Sequence, residues 1–313
     1  MNTATGTRNG TDAMPSAAKK GSGSVVCVAL RRLRRSLARF VLLAATPGIA
    51  GAATACAGGV ARHPALFSTL WAGTAAEYRA STEQTYRSAR QALDAALSDP
   101  TWTACVEQKG DAASRPPAVI LDVDETVLDN APFAARQLQA GASFGRPAFT
   151  LWVNEAQAPL VPGAAEFIRY ARAKGVRVFF VTNRLAEEEE GTRKNLTRRG
   201  IPLETDRDTV LTRNERPDWT RDKSSRRRFV ARDHRVLLLI GDDLNDFVPA
   251  MVPPAKRAEL VRRYRDRWGT KWFLLPNPQY GSWQRALYGF QPGLSAPEKL
   301  RRMTSHLAEI AAK

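Results

Sequence analysis

The sequence predicts an α/β protein with a doubly wound parallel sheet, and two observations lead to this prediction. Short apolar segments alternate with helical segments along most of the 313 residues, which is the order that joins parallel strands through helices. Two of the apolar segments, Ala118–Leu121 and Val236–Ile240, show no polar alternation, as expected for strands that helices cover on both faces. Polar side chains follow both segments directly, at the sheet edge where such proteins bind ligands.

The composition is that of a globular protein with a strongly basic balance. Hydrophobic residues make up 43% of the chain and charged residues 25%, which are ordinary values. The net charge of +16 is unusual, and it favours anionic ligands or an anionic membrane surface. The chain has only three cysteines and three histidines, all widely spaced, so that no zinc centre is expected.

Residues 1–55 are predicted to be a signal segment. A polar stretch at 1–24 precedes a basic block from Arg31 to Arg39, and no charge follows from Phe40 to Ala61. This order is typical of a secretory signal and predicts export, with Met14 as an alternative start. Because the uncharged stretch contains Pro47 and few strongly apolar residues, we expect a cleaved signal rather than a membrane-spanning helix.

The stretch Ala53–Cys56 resembles a bacterial lipoprotein box, although Ala53 stands where leucine is usual. The resemblance implies a lipid on Cys56 and a protein anchored in the outer membrane, facing the periplasm or the surface. The alternative is ordinary signal cleavage, which would leave a soluble periplasmic protein. In that oxidising compartment Cys56 and Cys105 are candidates for a disulfide.

Residues 62–313 are predicted to form a single domain. Apolar residues recur at three- and four-residue steps from Pro64 to Asp99, which predicts a helical N-terminal segment. A polar connector at 106–117 leads to the strand Ala118–Leu121, and a broken helical region at 131–160 predicts a small cap-like insert. The remaining predicted elements are a helix at 164–174, a strand at 176–181, a helix at 186–199, a strand at 209–211, a helix at 223–232, the strand Val236–Ile240, a helix at 255–268, a strand at 272–276 and a helix from 296.

Polar side chains directly follow three of the predicted strands: Asp122, Asp124, Thr126, Thr182, Asn183, Asp242 and Asp246. Right-handed crossovers bring the ends of parallel strands to one edge of the sheet, so these side chains are expected to converge. Each pair of carboxylates about 4 Å apart would repel by on the order of 4 kcal/mol at an effective dielectric near 20. Such a cluster requires a cation, and oxygen ligands without histidine favour Mg²⁺.

Four segments resemble, in order, the four motifs of the haloacid dehalogenase-like (HAD) phosphohydrolase superfamily: Asp122–Thr126, Phe180–Asn183, Lys223 and Gly241–Asp246. More narrowly, Ile120–Asn130 and Gly241–Phe247 resemble the class C bacterial acid phosphatases. That family consists of outer-membrane lipoproteins and includes the lipoprotein e type 5′-nucleotidases. The resemblance spans about residues 66 to 290 and implies a HAD-like Rossmannoid core.

The resemblance implies a catalytic role for each matching position. Asp122 would be the nucleophile that forms an aspartyl-phosphate. Asp124 would protonate the leaving group and then activate the hydrolytic water. Thr182, Asn183 and Lys223 would hold the phosphoryl oxygens.

The resemblance also implies a magnesium site and a base-binding pair. Mg²⁺ would be bound by Asp122, the carbonyl of Asp124 and Asp242, with Asp246 supporting these ligands. Asp243 stands where the family commonly has Asn and would add a carboxylate near the metal.

Four aromatic and polar side chains are candidates for lining the substrate site. Tyr78 and Tyr280 resemble the family's aromatic pair that sandwiches a nucleoside base, as stacking would favour. The alternative is that both are ordinary core aromatics. Trp152 and Asn154, in the insert, are candidate lining residues, and core packing is the alternative for them.

The predicted function is therefore hydrolysis of small phosphomonoesters, with 5′-nucleotides as a candidate class, by an exported and membrane-anchored enzyme. Two alternatives stay open: a cytoplasmic HAD phosphatase of narrower specificity, and a surface-binding lipoprotein without catalysis. No nucleic acid polymer is expected as a partner, because Glu259 and Asp266 interrupt the basic helix at 255–268. The sequence does not predict an oligomeric state.

Overall fold

A computed structural model describes Val60 and residues 63–312 of the chain. Within them, five strands form one parallel sheet in the order β3-β2-β1-β4-β5. The strands are β1 Pro117–Leu121, β2 Arg177–Leu185, β3 Val210–Arg213, β4 Arg235–Gly241 and β5 Trp272–Leu274. From β1 the chain adds β2 and β3 on one side, and it then adds β4 and β5 on the other side of β1. The ligand crevice is therefore expected outside the carboxyl ends of β1 and β4, where the strand order reverses.

Ten α-helices accompany these strands in the part of the chain that the structure describes. They are α1 Leu66–Thr74, α2 Ala76–Ser98, α3 Ala131–Gln139, α4 Arg146–Glu155, α5 Ala164–Ala173, α6 Glu189–Arg198, α7 Ser224–Asp233, α8 Pro254–Arg263, α9 Ser282–Ala286 and α10 Ala296–Ala311. Helices therefore alternate with strands, and the predicted doubly wound α/β class is confirmed. Neither α8 nor α10 buries any residue fully.

The sheet separates two hydrophobic cores, because successive strand side chains point to opposite faces. In β1, Val119 and Leu121 belong to the core that α2, α5 and α6 cover. Ala118 and Ile120 belong to the second core, with side chains of α7. Coverage of both faces explains why the sequence of β1 has no polar alternation.

Several observed elements differ from the predicted ones, and the helix predicted at 255–268, for example, ends at Arg263. The long N-terminal helix is interrupted at Ala75, whose backbone is extended. Strand β2 continues through Thr182 and Asn183 to Leu185 instead of ending at residue 181. The sequence pattern also misses α9, a helix of five residues, because its position depends on contacts with a distant loop and not on local periodicity.

Helices α3 and α4 lie in the predicted insert at 131–160, and they pack through aromatic side chains. Trp152 is buried and stacks on Phe133 with ring centroids 6.2 Å apart, as the core-packing alternative requires. Asn154 is exposed. The indole N–H of Trp152 donates to the Asn130 Oδ1 at 2.7 Å, so that the insert contacts the loop after β1.

Several predictions concern the N-terminal segment at 1–55, which lies outside the described residues, as does Cys56. The thiol of Cys105 is buried and donates to the Glu107 carboxylate at 2.9 Å. Among the described helices, none is long and apolar enough to cross a bilayer. The signal segment, the lipid anchor and the alternative disulfide remain predictions.

Candidate active site

Asp122 continues the central strand and heads a group of carboxylates. Its backbone N–H donates to the Ile240 carbonyl at 2.9 Å, which fixes it between the carboxyl ends of β1 and β4. Asp242 and Asp246 follow β4, and one carboxylate oxygen from each of the three aspartates lies within 4.8 Å of the others. The predicted convergence of these side chains is therefore present in the structure.

Lys223 joins two of these carboxylates. It precedes α7 directly, and its ammonium donates to Asp122 Oδ1 and, at 2.6 Å, to Asp246 Oδ1. Only 3% of the Lys223 residue surface is exposed. Burial opposes the charge, but attraction to Asp122 and Asp246 outweighs it and raises the Lys223 pKa. Lys223 is therefore a buried cation held at the predicted nucleophile.

Asp242 is held by two hydrogen bonds from other segments. The Thr126 hydroxyl donates to Oδ1 at 3.1 Å, and the Asn277 side-chain amide donates to Oδ2 at 2.8 Å. Burial and repulsion from Asp122 and Asp246 raise the Asp242 pKa well above its usual value. The donor set of hard carboxylate and hydroxyl oxygens fits a small divalent cation, which would relieve this repulsion.

Asp124 is oriented through a single oxygen. Its Oδ1 accepts from Arg184 Nε at 3.0 Å, from Arg184 Nη2 at 2.8 Å and from Asn130 Nδ2 at 2.8 Å. The Oδ2 has no hydrogen-bond partner within residues 63–312. This arrangement fixes the rotamer and leaves one oxygen free to exchange a proton, as a general acid–base requires.

Glu125 stabilises the tight turn that follows Asp124. Its backbone is left-handed, with φ 56°, and its N–H donates to the Leu128 carbonyl at 2.8 Å. The buried carboxylate accepts the Asn130 N–H at 2.8 Å. Burial and repulsion from Asp124 and Asp129 raise the Glu125 pKa. The Glu125 side chain thus binds the backbone of Asn130 from inside the turn and fixes the chain that follows Asp124.

Thr182 and Asn183 lie at the carboxyl end of β2, where buried Arg226 fixes both. The guanidinium donates to the Thr182 carbonyl and, at 2.9 Å, to Asn183 Oδ1. The Thr182 hydroxyl accepts the Arg184 N–H at 3.1 Å. The predicted phosphate-binding role of Thr182 and Asn183 stays a prediction, and their contacts show how they are positioned.

Three buried arginines hold the site, and the sequence analysis did not identify them. Arg184 binds Asp124, Arg226 binds the end of β2, and Arg227 donates to the carbonyls of Asn245 and Asp246 at 3.1 and 3.0 Å. Within a run of basic residues, Arg226 and Arg227 resemble a solvated helix face. Their spacing of three and four residues from Lys223 places all three on one side of α7 and was the available signal.

The structure shows where the carboxylate of Asp243 lies. Instead of joining the acidic group, its carboxylate accepts the backbone N–H and the hydroxyl of Ser282 at the start of α9, and the Asn245 N–H at 2.8 Å. Side chains alternate in an extended chain, so that Asp243 points away when Asp242 points into the site. Asp243 is therefore not one of the three grouped carboxylates, although its charge acts on Asp246, and an extra carboxylate near the metal stays a prediction.

The two tyrosines of the predicted base-binding pair differ in exposure. Tyr280 is 42% exposed, and its N–H donates to the Asn277 Oδ1 at 3.3 Å. Tyr78 is 4% exposed, and it meets the edge of Trp71 with centroids 5.6 Å apart. Burial and the charges of Asp129 raise the Tyr78 pKa. Only Tyr280 presents an accessible ring in this conformation.

Comparisons with known proteins identify relatives of this chain. Residues 55–283 match the family model described as HAD superfamily, subfamily IIIB (acid phosphatase). A class C acid phosphatase from Bacillus anthracis aligns with a TM-score of 0.68 and 32% identity, over 77% of this chain and 95% of that chain. The same protein with tungstate bound aligns with a TM-score of 0.68 and 31% identity.

A curated plant protein is a more distant relative. The stem 31 kDa glycoprotein of Glycine max is 25% identical over 164 residues, which are 51% of this chain. The match covers 58% of that protein, so that the chain spans little more than half the length of this relative.

Proposed function

The chain belongs to subfamily IIIB of the HAD superfamily, the acid phosphatases, and on this premise we propose that it hydrolyses phosphomonoesters through an aspartyl-phosphate on Asp122. The family predicted from the four motifs is thereby confirmed. The observation that carries the proposal is the buried contact of Lys223 with Asp122 and Asp246, beside Asp242. A protein that only binds a surface has no need of such a charged, buried arrangement.

In the proposed reaction, an Asp122 oxygen attacks phosphorus and the bond to the leaving oxygen breaks. Asp124, protonated on Oδ2, transfers this proton to the leaving oxygen. It then takes a proton from the water that attacks the phosphorus and releases Asp122 and inorganic phosphate. Lys223 stabilises negative charge on the transferred group, and electrostatic stabilisation of this kind is the main contribution to phosphoryl transfer.

We propose Mg²⁺ as the cofactor, held by Asp122, Asp242 and the Asp124 carbonyl. Asp246 lies in the same group of carboxylates and supports these ligands. A bound divalent cation would neutralise charge on the phosphoryl oxygens. EDTA is expected to abolish activity and Mg²⁺ to restore it. Mg²⁺ should also raise the melting temperature of the wild type but not of Asp242→Asn, and an equal rise in both would refute the site.

The decisive test of the activity is hydrolysis of p-nitrophenyl phosphate and 5′-AMP by wild type and Asp122→Asn. Removing the nucleophile is expected to lower kcat by a factor of about 10³ or more. Asp111→Asn, in the exposed connector before β1, is the matched control and should keep full activity. Activity that survives in Asp122→Asn would refute the covalent mechanism.

For the substrate class we propose 5′-nucleotides. The support is the exposed ring of Tyr280, which is joined through Asn277 to Asp242. Stacking on an aromatic ring contributes about 1–3 kcal/mol per base. Tyr280→Ala is therefore expected to lower kcat/KM for 5′-AMP at least about fivefold relative to p-nitrophenyl phosphate. An unchanged ratio would argue against base recognition by this residue.

We further propose that the protein is exported and anchored to the outer membrane through a lipid on Cys56. The support is the sequence pattern of a basic block, an uncharged stretch and Ala53–Cys56. Palmitate labelling in bacteria should mark the wild type and not Cys56→Ser. A wild type without label would favour the soluble periplasmic alternative.

A further inference from the structure

Four arginines stand around the carboxyl edge of the sheet outside the group that holds Asp122, and we call them the arginine rim: Arg146, Arg213, Arg221 and Arg285. Arg213 is the last residue of β3 and lies opposite Leu185 at the end of β2. Arg221 lies two residues before Lys223, and its carbonyl accepts the Asn245 side-chain amide at 2.8 Å. The backbones of Arg213 and Arg221 are therefore held by β2 and by the loop after β4, two segments that contribute to the candidate active site.

The other two members of the rim, Arg146 and Arg285, come from the insert and from α9. Arg146 begins α4 in the insert, and its guanidinium lies 3.3 Å from the Glu188 carboxylate. Arg285 lies in α9, whose first residue, Ser282, is bound by Asp243. The four guanidinium groups thus come from four different segments, and a local charge run in the sequence does not account for their grouping.

The positive charge of the rim is largely uncompensated. Arg213, Arg221 and Arg285 form no ion pair with any residue that the structure describes, and Arg213 Nε is buried without a hydrogen-bond partner. The acid paired with Arg146 is shared, because Glu188 also accepts the Thr150 hydroxyl at 2.7 Å. Glu187, which is exposed, is the other acid that acts on Arg213.

These arginines repel one another. Although part of the Arg221 surface is exposed, partial burial and the charges of Arg285, Arg213 and Arg146 lower the Arg221 pKa to about 10. Burial and the Arg146 charge lower that of Arg213 as well. Solvated surface arginines normally spread apart, whereas an anion among them would remove the repulsion and accept charge-assisted hydrogen bonds.

We propose that the arginine rim is a second anion-binding subsite and that the preferred substrates carry a second phosphate on the leaving group. This inference rests on the proposed phosphatase function. Strand β3 lies two strand spacings from β1, which is about 10 Å in the plane of the sheet. That separation suits a compact organic bisphosphate whose one phosphate meets Asp122 and whose other meets the rim.

The test compares substrates that differ by one phosphate. Initial rates of phosphate release give kcat/KM for fructose 6-phosphate and fructose 1,6-bisphosphate, and for 5′-AMP and adenosine 3′,5′-bisphosphate. The wild type is expected to prefer the bisphosphate about tenfold in at least one pair, the scale of one charge-assisted contact. Raising the ionic strength from about 0.05 to about 0.5 M should flatten this preference, because salt screens exposed charges.

Substitutions then assign the preference to the rim. In Arg213→Gln/Arg221→Gln the ratio of the two kcat/KM values should approach one. Arg228→Gln removes an exposed arginine of α7 and should leave the ratio as it is in the wild type. Equal kcat/KM values for both substrates of both pairs in the wild type would overturn the proposal, as would an unchanged ratio in the double variant.

Binding separates this inference from the proposed function. Titration calorimetry on Asp122→Asn gives the Kd for both substrates of each pair without turnover. A wild type that hydrolyses neither substrate, together with an Asp122→Asn variant that binds the bisphosphate about tenfold more tightly, would refute the phosphatase and retain the rim. Equal Kd values would refute the rim and leave the phosphatase in place.

Discussion

Asp124 and Arg184 show how one hydrogen-bond pattern can separate the two oxygens of a carboxylate. Arg184 is fully enclosed, and its fork-shaped guanidinium directs two N–H groups at Oδ1. A third guanidinium nitrogen donates to Thr192 at 3.1 Å, so that α6 holds the arginine from behind. In the proposed mechanism Arg184 is a positioning residue, since it would act on the substrate through Asp124.

Arg184→Gln is expected to lower kcat/KM for 5′-AMP, which reports the transfer of the phosphoryl group to Asp122, by roughly 10- to 100-fold, the usual contribution of a positioned general acid being 10² or more. The decrease for p-nitrophenyl phosphate should be much smaller, because p-nitrophenolate leaves without being protonated. Arg184→Lys keeps the charge but not the fork and should recover only part of the rate. The ratio of the two kcat/KM values is the measurement, and an equal loss of kcat/KM for both substrates would assign Arg184 a merely structural role.

Single residues also mark the limit of sequence reasoning. Asp122 and Asp242 are predicted because they directly follow strands, and Lys223 is predicted because its position matches the third motif of the family. The buried arginines that bind Asp124, the end of β2 and the loop after β4 are not predicted, since a buried Arg226 and an exposed Arg228 look alike in a basic run. Only the packed structure distinguishes an arginine that binds a carbonyl from one that meets water.

Among the elements, the end of β4 depends on a glycine, Gly241, because a larger residue would collide with its neighbours. A Cβ at Gly241 would lie 2.6 Å from both Cβ and Cγ of Asp246, so that no side chain fits without moving this aspartate. Asp246 is also fixed through its carbonyl by Arg227, and it has little room to yield.

Gly241→Ala is therefore expected to displace Asp246 from Lys223 and to lower kcat about 100-fold, the usual effect of moving a catalytic group by about 1 Å. Gly73→Ala is the control, because a Cβ at that position in α1 meets only Ala131 at 3.8 Å. Steady-state kinetics with p-nitrophenyl phosphate are the measurement. Full activity in Gly241→Ala would show that the contact of Asp246 with Lys223 is dispensable.

The elements that were predicted best are those whose pattern is complete within their own sequence. Strands β1 and β4 are unbroken apolar runs, and their positions were predicted within one or two residues. The prediction ends β2 too early, because Thr182 and Asn183 are polar, whereas the strand continues through both residues to Leu185. Helix α9 depends on Asp243, 39 residues earlier in the chain, which no local pattern contains.

For the whole molecule, acid stability depends in part on His234, at the junction of α7 and β4. The ring is 2% exposed and meets the edge of Phe179 with centroids 4.9 Å apart. Burial and the charges of Arg207 and Arg177 lower its pKa from 6.5 to about 4. Between these values the unfolded chain binds a proton that the folded protein does not, so that folding stability decreases as the pH falls from about 6.5 to about 4.

This loss is expected to be on the order of 2 kcal/mol. His234→Gln removes the titration and should make the free energy of unfolding less dependent on pH across that interval. His306→Gln, in α10, is the control, because the His306 pKa is raised instead. Urea unfolding at pH 4.5, 5.5 and 7 is the measurement, and an identical pH dependence in wild type and His234→Gln would contradict the prediction.

The hydrogen bond from the Asp122 backbone N–H to the Ile240 carbonyl has a consequence for the exchange of this amide proton with solvent. This amide lies between the carboxyl ends of the two central strands, and we expect it to exchange with deuterium through openings that separate β1 from β4. The amides of α10, a helix without a buried residue, should exchange through local fraying. Peptides containing Asp122 would then be among the last to be labelled with deuterium. The backbone of Asp122, the proposed nucleophile, would stay in position until β1 and β4 separate.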